Sequence, residues 1–359
     1  MNLKSLELQQ WQEQLAPLAA STAAVRKLFA AVFAHGAEDL AALRSVPQVP
    51  ARVRDHLLAH GVLPSLQVLE RRCAADGFLK YLFGSPAGGR FEAVRIPLFE
   101  EKYVVCISSQ VGCALACDFC ATGRMGFLRN LETWEMVDQV LRIRAEADRP
   151  VRGVVFMGMG EPLLNPTEVL RAARILCHPA GLAISARAIS LSTAGVVPAI
   201  HRYVRERHPY RLVFSLTSAI PEKRLQVMPI EATHSLPALV SAIRAYAEAR
   251  RERAMLAYVL ISGFNTGQED AQALADVFRG IPIKLDLIDV TDATGRYQPP
   301  GPEELARFRD HLQVLKAPVA RRYSGGKDIQ AACGTLAATS TGGRLMEPPQ
   351  LLAAGRFAC

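Results

Sequence analysis

Six apolar, strand-like segments alternate with six helix-like ones through the middle of the chain, and this rhythm restricts the possible folds more than any other feature. YVVCISS is followed by a helix over about Thr133 to Ala147, RGVVFMG by one over about Pro166 to Cys177, and AISLST by one over about Val196 to Glu206. RLVFSLT, AMLAYVLIS and IKLDLIDV precede helices over about Leu236 to Arg250, Glu269 to Phe278 and Glu303 to Leu315. Strands separated by helices pair in parallel, because a parallel neighbour needs a crossover that no tight turn can supply. The crossovers are right-handed, and ligands bind at the carboxyl ends of the strands. Periodicity alone admits a partial barrel, a complete barrel and an open doubly wound sheet.

Two segments precede the alternation. Residues 1–64 read as a small helical domain: Val25, Leu28, Phe29, Val32 and Phe33 recur at helical spacing and Gly36 follows as a stop. Residues 65–101 read as a β-hairpin connector, with GFLKYLF and GRFEAVRIPLF on either side of the turn-forming run Gly84-Ser85-Pro86-Ala87-Gly88-Gly89. The main domain then spans 102–340, and 341–359 form a tail.

No basic stretch leads into an apolar core at the amino terminus, and no apolar run reaches the roughly 20 residues that span a bilayer. The expectation is a cytoplasmic protein with no membrane partner. The formal charge of +8 favours a polyanionic partner, since clustered Lys and Arg attract phosphate, but a basic surface without such a partner fits as well.

In a cytoplasmic chain, eight cysteines point to metal ligation or catalysis before a disulfide framework. Cys113, Cys117 and Cys120 form C-x3-C-x2-C in the loop after the first strand of the alternation, where a parallel-sheet enzyme keeps its chemistry. Three thiolates can hold three irons of a [4Fe-4S] cubane and leave the fourth open to a substrate. A zinc site with a distant fourth ligand is the alternative, although no second C-x2-C pair follows. Cys73, Cys177 and Cys359 have no recognisable setting.

The triad, with Phe119 before its last cysteine, resembles the signature of the radical S-adenosylmethionine (SAM) superfamily. That resemblance implies a (β/α)6 partial barrel, one [4Fe-4S] cluster held by Cys113, Cys117 and Cys120, and SAM cleaved at the open iron to a 5′-deoxyadenosyl radical. A closer resemblance runs through CISSQVGCALACDFCATGRMGFLRNL, VVFMGMGEPLLN, AISLSTAGVVPAI, VFSL and DIQAACGTLA: these are similar to the RlmN/Cfr family of RNA adenine methyltransferases. VRKLFAAVFAHGAEDLAALRSVP resembles the family's accessory RNA-binding domain.

The family resemblance implies SAM contacts from Gly160, Glu161, Ser192, Ser215, Leu216 and Thr217, all at strand ends. Small residues there let backbone approach a ligand, and Glu161 can accept from its ammonium group. It further implies that Cys333 carries the methyl group, that Cys106 resolves the intermediate through a transient disulfide, and that Glu92 is the general base. The chemical need is plain, since carbon 2 or carbon 8 of adenine is too poor a nucleophile to take a methyl group from a sulfonium, whereas a thiolate can. Two SAM molecules are then used per turnover, one to methylate Cys333 and one to make the radical. The implied partners are ribosomal or transfer RNA and a reducing electron donor such as flavodoxin or ferredoxin; oligomeric state is left open.

The chain departs from the family pattern in four places, one of them an arginine missing from Ser324-Gly325-Gly326-Lys327 before the DIQAACG run. Thr291, in Asp289-Val290-Thr291-Asp292, stands approximately where an asparagine contacts SAM. Thr217 replaces a histidine, and Thr335-Leu336 follow AACG where a glutamine is usual. Two other readings stay open: a radical SAM enzyme acting on a different nucleic-acid base, and a non-catalytic, metal-containing RNA-binding protein.

Overall fold

The computed structural model describes residues 1–99, 101–292 and 294–338, so the expected tail lies outside the described residues. The first segment folds into α1 (Leu8–Leu15), α2 (Thr22–Phe33) and α3 (Ala51–His60). Ser21 caps α2 by accepting from the Ala24 N–H at 3.2 Å, which satisfies one of the donors a helix start leaves free. The helical stripe Val25, Leu28, Phe29 and Val32 is buried.

Three antiparallel strands follow: β1 (Gln67–Cys73), β2 (Leu79–Gly84) and β3 (Arg90–Leu98). A two-stranded hairpin is what the sequence suggests here. β1 escapes notice because it is an edge strand with no buried residue, so its QVLERRC has no apolar alternation to report. β3 pairs antiparallel with β4 (Lys102–Cys106), which makes the three strands continuous with the main sheet.

Short strands β5 (Gln110–Gly112) and β6 (Phe127–Asn130) form a separate hairpin around the single-turn helix α4 (Ala121–Arg124). The alternation then runs α5 (Thr133–Ala145), β7 (Val151–Phe156), α6 (Pro166–Cys177), β8 (Ile189–Thr193), α7 (Val197–Arg205) and β9 (Arg211–Ser215). It continues with α8 (Pro221–Val227), α9 (Leu236–Arg250), β10 (Ala254–Leu260), α10 (Gln268–Val277), β11 (Ile283–Asp289), α11 (Pro302–His311) and β12 (Val319–Arg322). The last strand, four residues with two arginines, is too short for its period to be read.

The ladder order is β1-β2-β3-β4-β7-β8-β9-β10-β11-β12. From β4 onward every neighbouring pair is parallel and spatial order follows chain order. Because the winding never reverses, the sheet has no switch point of the doubly wound kind. β1 and β12 are not paired, so this is a partial barrel. Alternate strand residues face the helices, where Val105, Val154, Leu191, Phe214, Leu256 and Leu285 are fully buried. Val213, Met255 and Ala257 form a separate small apolar cluster with Met157 and Ile288.

The helical segment is tied to the barrel by a buried charge pair. Lys4 Nζ lies 2.6 Å from Asp138 on α5 and also donates to the Pro64 carbonyl, while the other Asp138 oxygen accepts from the Leu66 N–H. Among the described residues, no helix is long and apolar enough to cross a membrane.

Candidate active site

The cysteine triad lies on the β5–α4 connection, above the carboxyl end of β4. Cys113 follows β5 and donates its N–H to the Gly126 carbonyl at 2.8 Å, while Cys120 caps α4 and donates to the Cys117 carbonyl at 3.0 Å. Gly112 makes this wrap possible: at φ +77° a side chain is strained, and a Cβ would stand 1.9 Å from the Gly126 oxygen. Burial pushes the Cys113 thiol up to about 12 and the Cys117 thiol well above its ordinary value. Among the described residues no group of three His, Cys, Asp or Glu side chains is drawn together around a single point. Thiolates of a cubane each bind a different iron and need not converge.

The expected SAM contacts sit together at the strand ends beside this loop. Gly160 follows β7 at φ +98°, and a Cβ there would lie 2.5 Å from Gln110 Cβ on β5. Glu161 is buried, with Oε1 accepting from the Leu163 N–H at 3.0 Å and Oε2 from the Ala194 N–H at 2.8 Å, so it braces the β7 end against the β8 end. Burial raises its carboxyl to about 7, against the pull of those amides. Ser192 and Ser215, from β8 and β9, bring their hydroxyls within 3.2 Å. Leu216 turns its side chain into the core and offers the site only backbone.

Thr217 takes φ +60°, and its carbonyl is held by Asn265 Nδ2 at 2.7 Å. The hydroxyls of Thr217 and Thr291 are both buried and have no hydrogen-bond partner. Such groups are costly to leave unpaired, and a polar ligand in the barrel mouth would satisfy them. The residues present therefore fit a small molecule with several polar groups.

The structure brings Glu92, Cys106 and Cys333 to the same place. Cys106 ends β4 opposite Val94 of β3, two residues from Glu92. The segment after β12 returns across the barrel mouth, with the Gly334 carbonyl accepting from Ala121 N–H at 2.7 Å and the Leu336 carbonyl from Thr122 Oγ1 at 2.6 Å. This sets Cys333 close enough to feel both Cys106 and Cys120 electrostatically. Burial, and then the charge of Cys333, raise the Cys106 thiol. Cys333 as a residue is solvent-exposed, yet crowding by the barrel mouth raises its thiol too, opposed by the Ser324 hydroxyl and the Arg322 guanidinium. For access by a methyl donor, the exposure decides.

Several residues at the site carry no sequence signal. Lys80 pairs with Glu92 at 3.0 Å, but GFLKYLF reads as an ordinary strand. Arg224 is fully buried beside Cys117 and donates to the Ala194 carbonyl at 2.6 Å; on a short, charged helix it looks like a surface residue. Asp286, inside the sheet, has Arg322 at 2.7 Å and Lys284 at 3.2 Å as ion-pair partners, although neither is aligned as a hydrogen bond. The distances identify the pairing. Asp292, beside Thr291, forms a 2.8 Å ion pair with Arg124 of α4, and Tyr297 donates to Asp118 between Cys117 and Cys120. The segment that departs from the family pattern thus grips the triad loop. A groove of about 610 Å³ lies at the opposite, amino-terminal ends of β10 and β11, among Arg253, Asp276 and Lys316.

A partial parallel barrel with a three-cysteine loop and a ring of polar residues at its carboxyl rim defines a radical SAM enzyme. The Radical SAM superfamily model matches residues 107–276, and that family binds a [4Fe-4S] cluster and SAM. The chain is 70% identical to a "Probable RNA methyltransferase" of Myxococcus xanthus, over 97% of this chain and 98% of the relative. It is 38% identical to the "Dual-specificity RNA methyltransferase RlmN" of Syntrophobacter fumaroxidans, over 94% and 98%. A crystal structure of a radical SAM methyltransferase from Sphaerobacter thermophilus superposes with a TM-score of 0.87 at 34% identity, covering 94% of this chain and all of that one. The chain belongs to the RlmN/Cfr family of radical SAM RNA methyltransferases.

Proposed function

We propose that this enzyme methylates carbon 2 or carbon 8 of an adenine in ribosomal or transfer RNA, with Cys333 as methyl carrier. The observation that supports this most directly is the meeting of Cys333, Cys106 and the triad at one barrel mouth, although they come from distant parts of the chain.

In this reading Cys113, Cys117 and Cys120 hold the cluster, and Gly160, Glu161, Ser192, Ser215, Thr217, Thr291 and the Leu216 backbone bind SAM. Bound there and given an electron by a donor such as flavodoxin or ferredoxin, the cluster and SAM would supply a 5′-deoxyadenosyl radical. Cys333, as thiolate, attacks the methyl carbon of one SAM, expels S-adenosylhomocysteine and carries the methyl group on its sulfur. Its S-methyl group gives a hydrogen atom to that radical, forming 5′-deoxyadenosine, and the methylene carbon bonds to the adenine ring carbon; the unpaired electron left on the ring would pass to a one-electron acceptor such as the oxidised cluster. Glu92 accepts the ring proton. Cys106 then attacks the Cys333 sulfur and breaks its bond to the methylene carbon, which takes up a proton as the methylated base leaves; the disulfide so closed must be reduced before the next cycle. Two SAM are used per turnover. The residues of 1–64 serve as an accessory RNA-binding unit.

The test is incubation of the reconstituted enzyme with methyl-labelled SAM and total RNA, followed by nucleoside mass spectrometry. Label is expected on an adenine carbon, and Cys333→Ala should abolish it while leaving the iron-sulfur absorption intact. Turnover retained by that variant removes Cys333 from the carrier role.

A further inference from the structure

Lys80 and Glu92 lie on adjacent strands, β2 and β3. Glu92 stands opposite Leu82 in the register, two residues along from Lys80, so the two side chains share one face as a diagonal pair. Both are almost completely buried, at 3% and 1% exposure, with Nζ and Oε1 3.0 Å apart. A buried pair is weak support for stability, because desolvation cancels much of the attraction and apolar residues of similar size serve as well. The use of this pair lies in its remaining hydrogen-bonding capacity. Lys80 Nζ donates to the Gln330 carbonyl at 3.2 Å, and Glu92 Oε2 accepts from the Ala337 N–H at 2.9 Å. Gln330 and Ala337 flank Cys333 on its two sides.

We propose that Lys80 is a positioning residue which, with Glu92, clasps the Cys333 loop at both ends and so sets where the carrier sulfur stands. This deepens the reading of Cys333 as methyl carrier and Glu92 as base, and rests on it. The loop leaves a single 3-10 turn, Lys327–Ile329, through Gln330 at φ +55°, a left-handed conformation that residues with a side chain seldom adopt. The clasp is also sensitive to charge. A proton passed from the adenine ring carbon to the Glu92 carboxylate cancels the negative charge facing Lys80 and weakens both anchors. The loop is then released at the step where Cys106 must reach the Cys333 sulfur.

The test reads loop freedom and not only turnover. In full-length, cluster-reconstituted enzyme, the rate at which iodoacetamide alkylates Cys333 is followed by peptide mass spectrometry, with half-buried Cys177 as internal reference. Lys80→Met and Glu92→Gln should each raise the Cys333 rate roughly ten-fold, the scale set by losing a charge-assisted hydrogen bond, without changing Cys177. Lys80→Arg should restore it to within about two-fold, since a guanidinium can make both contacts. A Cys333 rate in Lys80→Met equal to that of the unsubstituted enzyme overturns the proposal. If that variant does not fold, hydrogen exchange on the unsubstituted enzyme decides: the Ala337 amide should be protected, and exchange as fast as in an open loop overturns the clasp. Alkylation does not depend on methyl transfer, so failure of the labelled-RNA experiment and failure of the clasp are separate results.

Discussion

Glu161 is a buried side chain whose proton would link folding to ligand binding if it meets a ligand ammonium as proposed. Its carboxyl is raised from 4.5 to about 7 by burial. Between those values the folded chain keeps a proton that the unfolded chain has released, so its contribution to stability is greatest below 4.5 and declines as pH rises through the window. A ligand ammonium placed against it favours the ionised form instead. SAM binding, measured by equilibrium dialysis between pH 6 and 8, should therefore weaken as pH falls through about 7. Glu161→Gln should bind SAM weakly and flatten that dependence; an unchanged pH profile in the variant excludes an ammonium contact at Glu161. Serine and threonine hydroxyls at the same rim contribute differently. Thr217 and Thr291 are unpaired, so each is a place where a ligand's polar atom is worth more than it would be in water.

The connections between elements place this chemistry, and glycine allows the closest of them. The turn after β7 lies against β5 so tightly that Gly160 has no room for a Cβ, with Gln110 Cβ 2.5 Å and Gln110 N 2.9 Å from where it would stand. Its φ of +98° compounds the strain of any substitution. Gly160→Ala should push the turn off the β5–β6 hairpin, lowering SAM affinity by more than about ten-fold and thermal stability by about 1–3 kcal/mol. Equilibrium dialysis and thermal denaturation would check this; native affinity in the variant would show that the contact is not tight. The hairpin itself was legible only in part. The triad spacing is local and could be read, whereas α4 is a single turn and β5 only three residues, too short for either period to register.

Across the molecule, the link between the helical segment and the barrel is a testable interaction. Lys4 and Asp138 are both inaccessible, and Asp138 also holds the Leu66 N–H just before β1. Lys4→Met removes the charge but little volume and leaves the carboxylate with the Leu66 N–H and, as its charged partner, the partly exposed Arg142 at 3.4 Å. Loss of one partner of a buried pair costs about 3–5 kcal/mol, so the melting temperature should fall clearly. A fall of less than a degree or two would mean that Asp138 is satisfied without Lys4. Nothing in MNLKSLELQQ marks that lysine as buried, because its partner is far along the chain.

That contrast recurs throughout. The six main strands, the longer helices between them and the cysteine triad could be read along the chain, since burying one face imprints a local period and the triad's spacing is local, whereas the seven-residue α8 between β9 and β10 was not. The direction of winding, which makes a partial barrel and not a doubly wound sheet, left no trace in any single segment. Neither did the adjacency of Cys106 and Cys333, the buried Lys80–Glu92 pair or Arg224 beside the triad. Each depends on which distant segment the folded chain brings within a few ångströms, and a side chain's own sequence neighbours do not encode the partner that will desolvate or neutralise it.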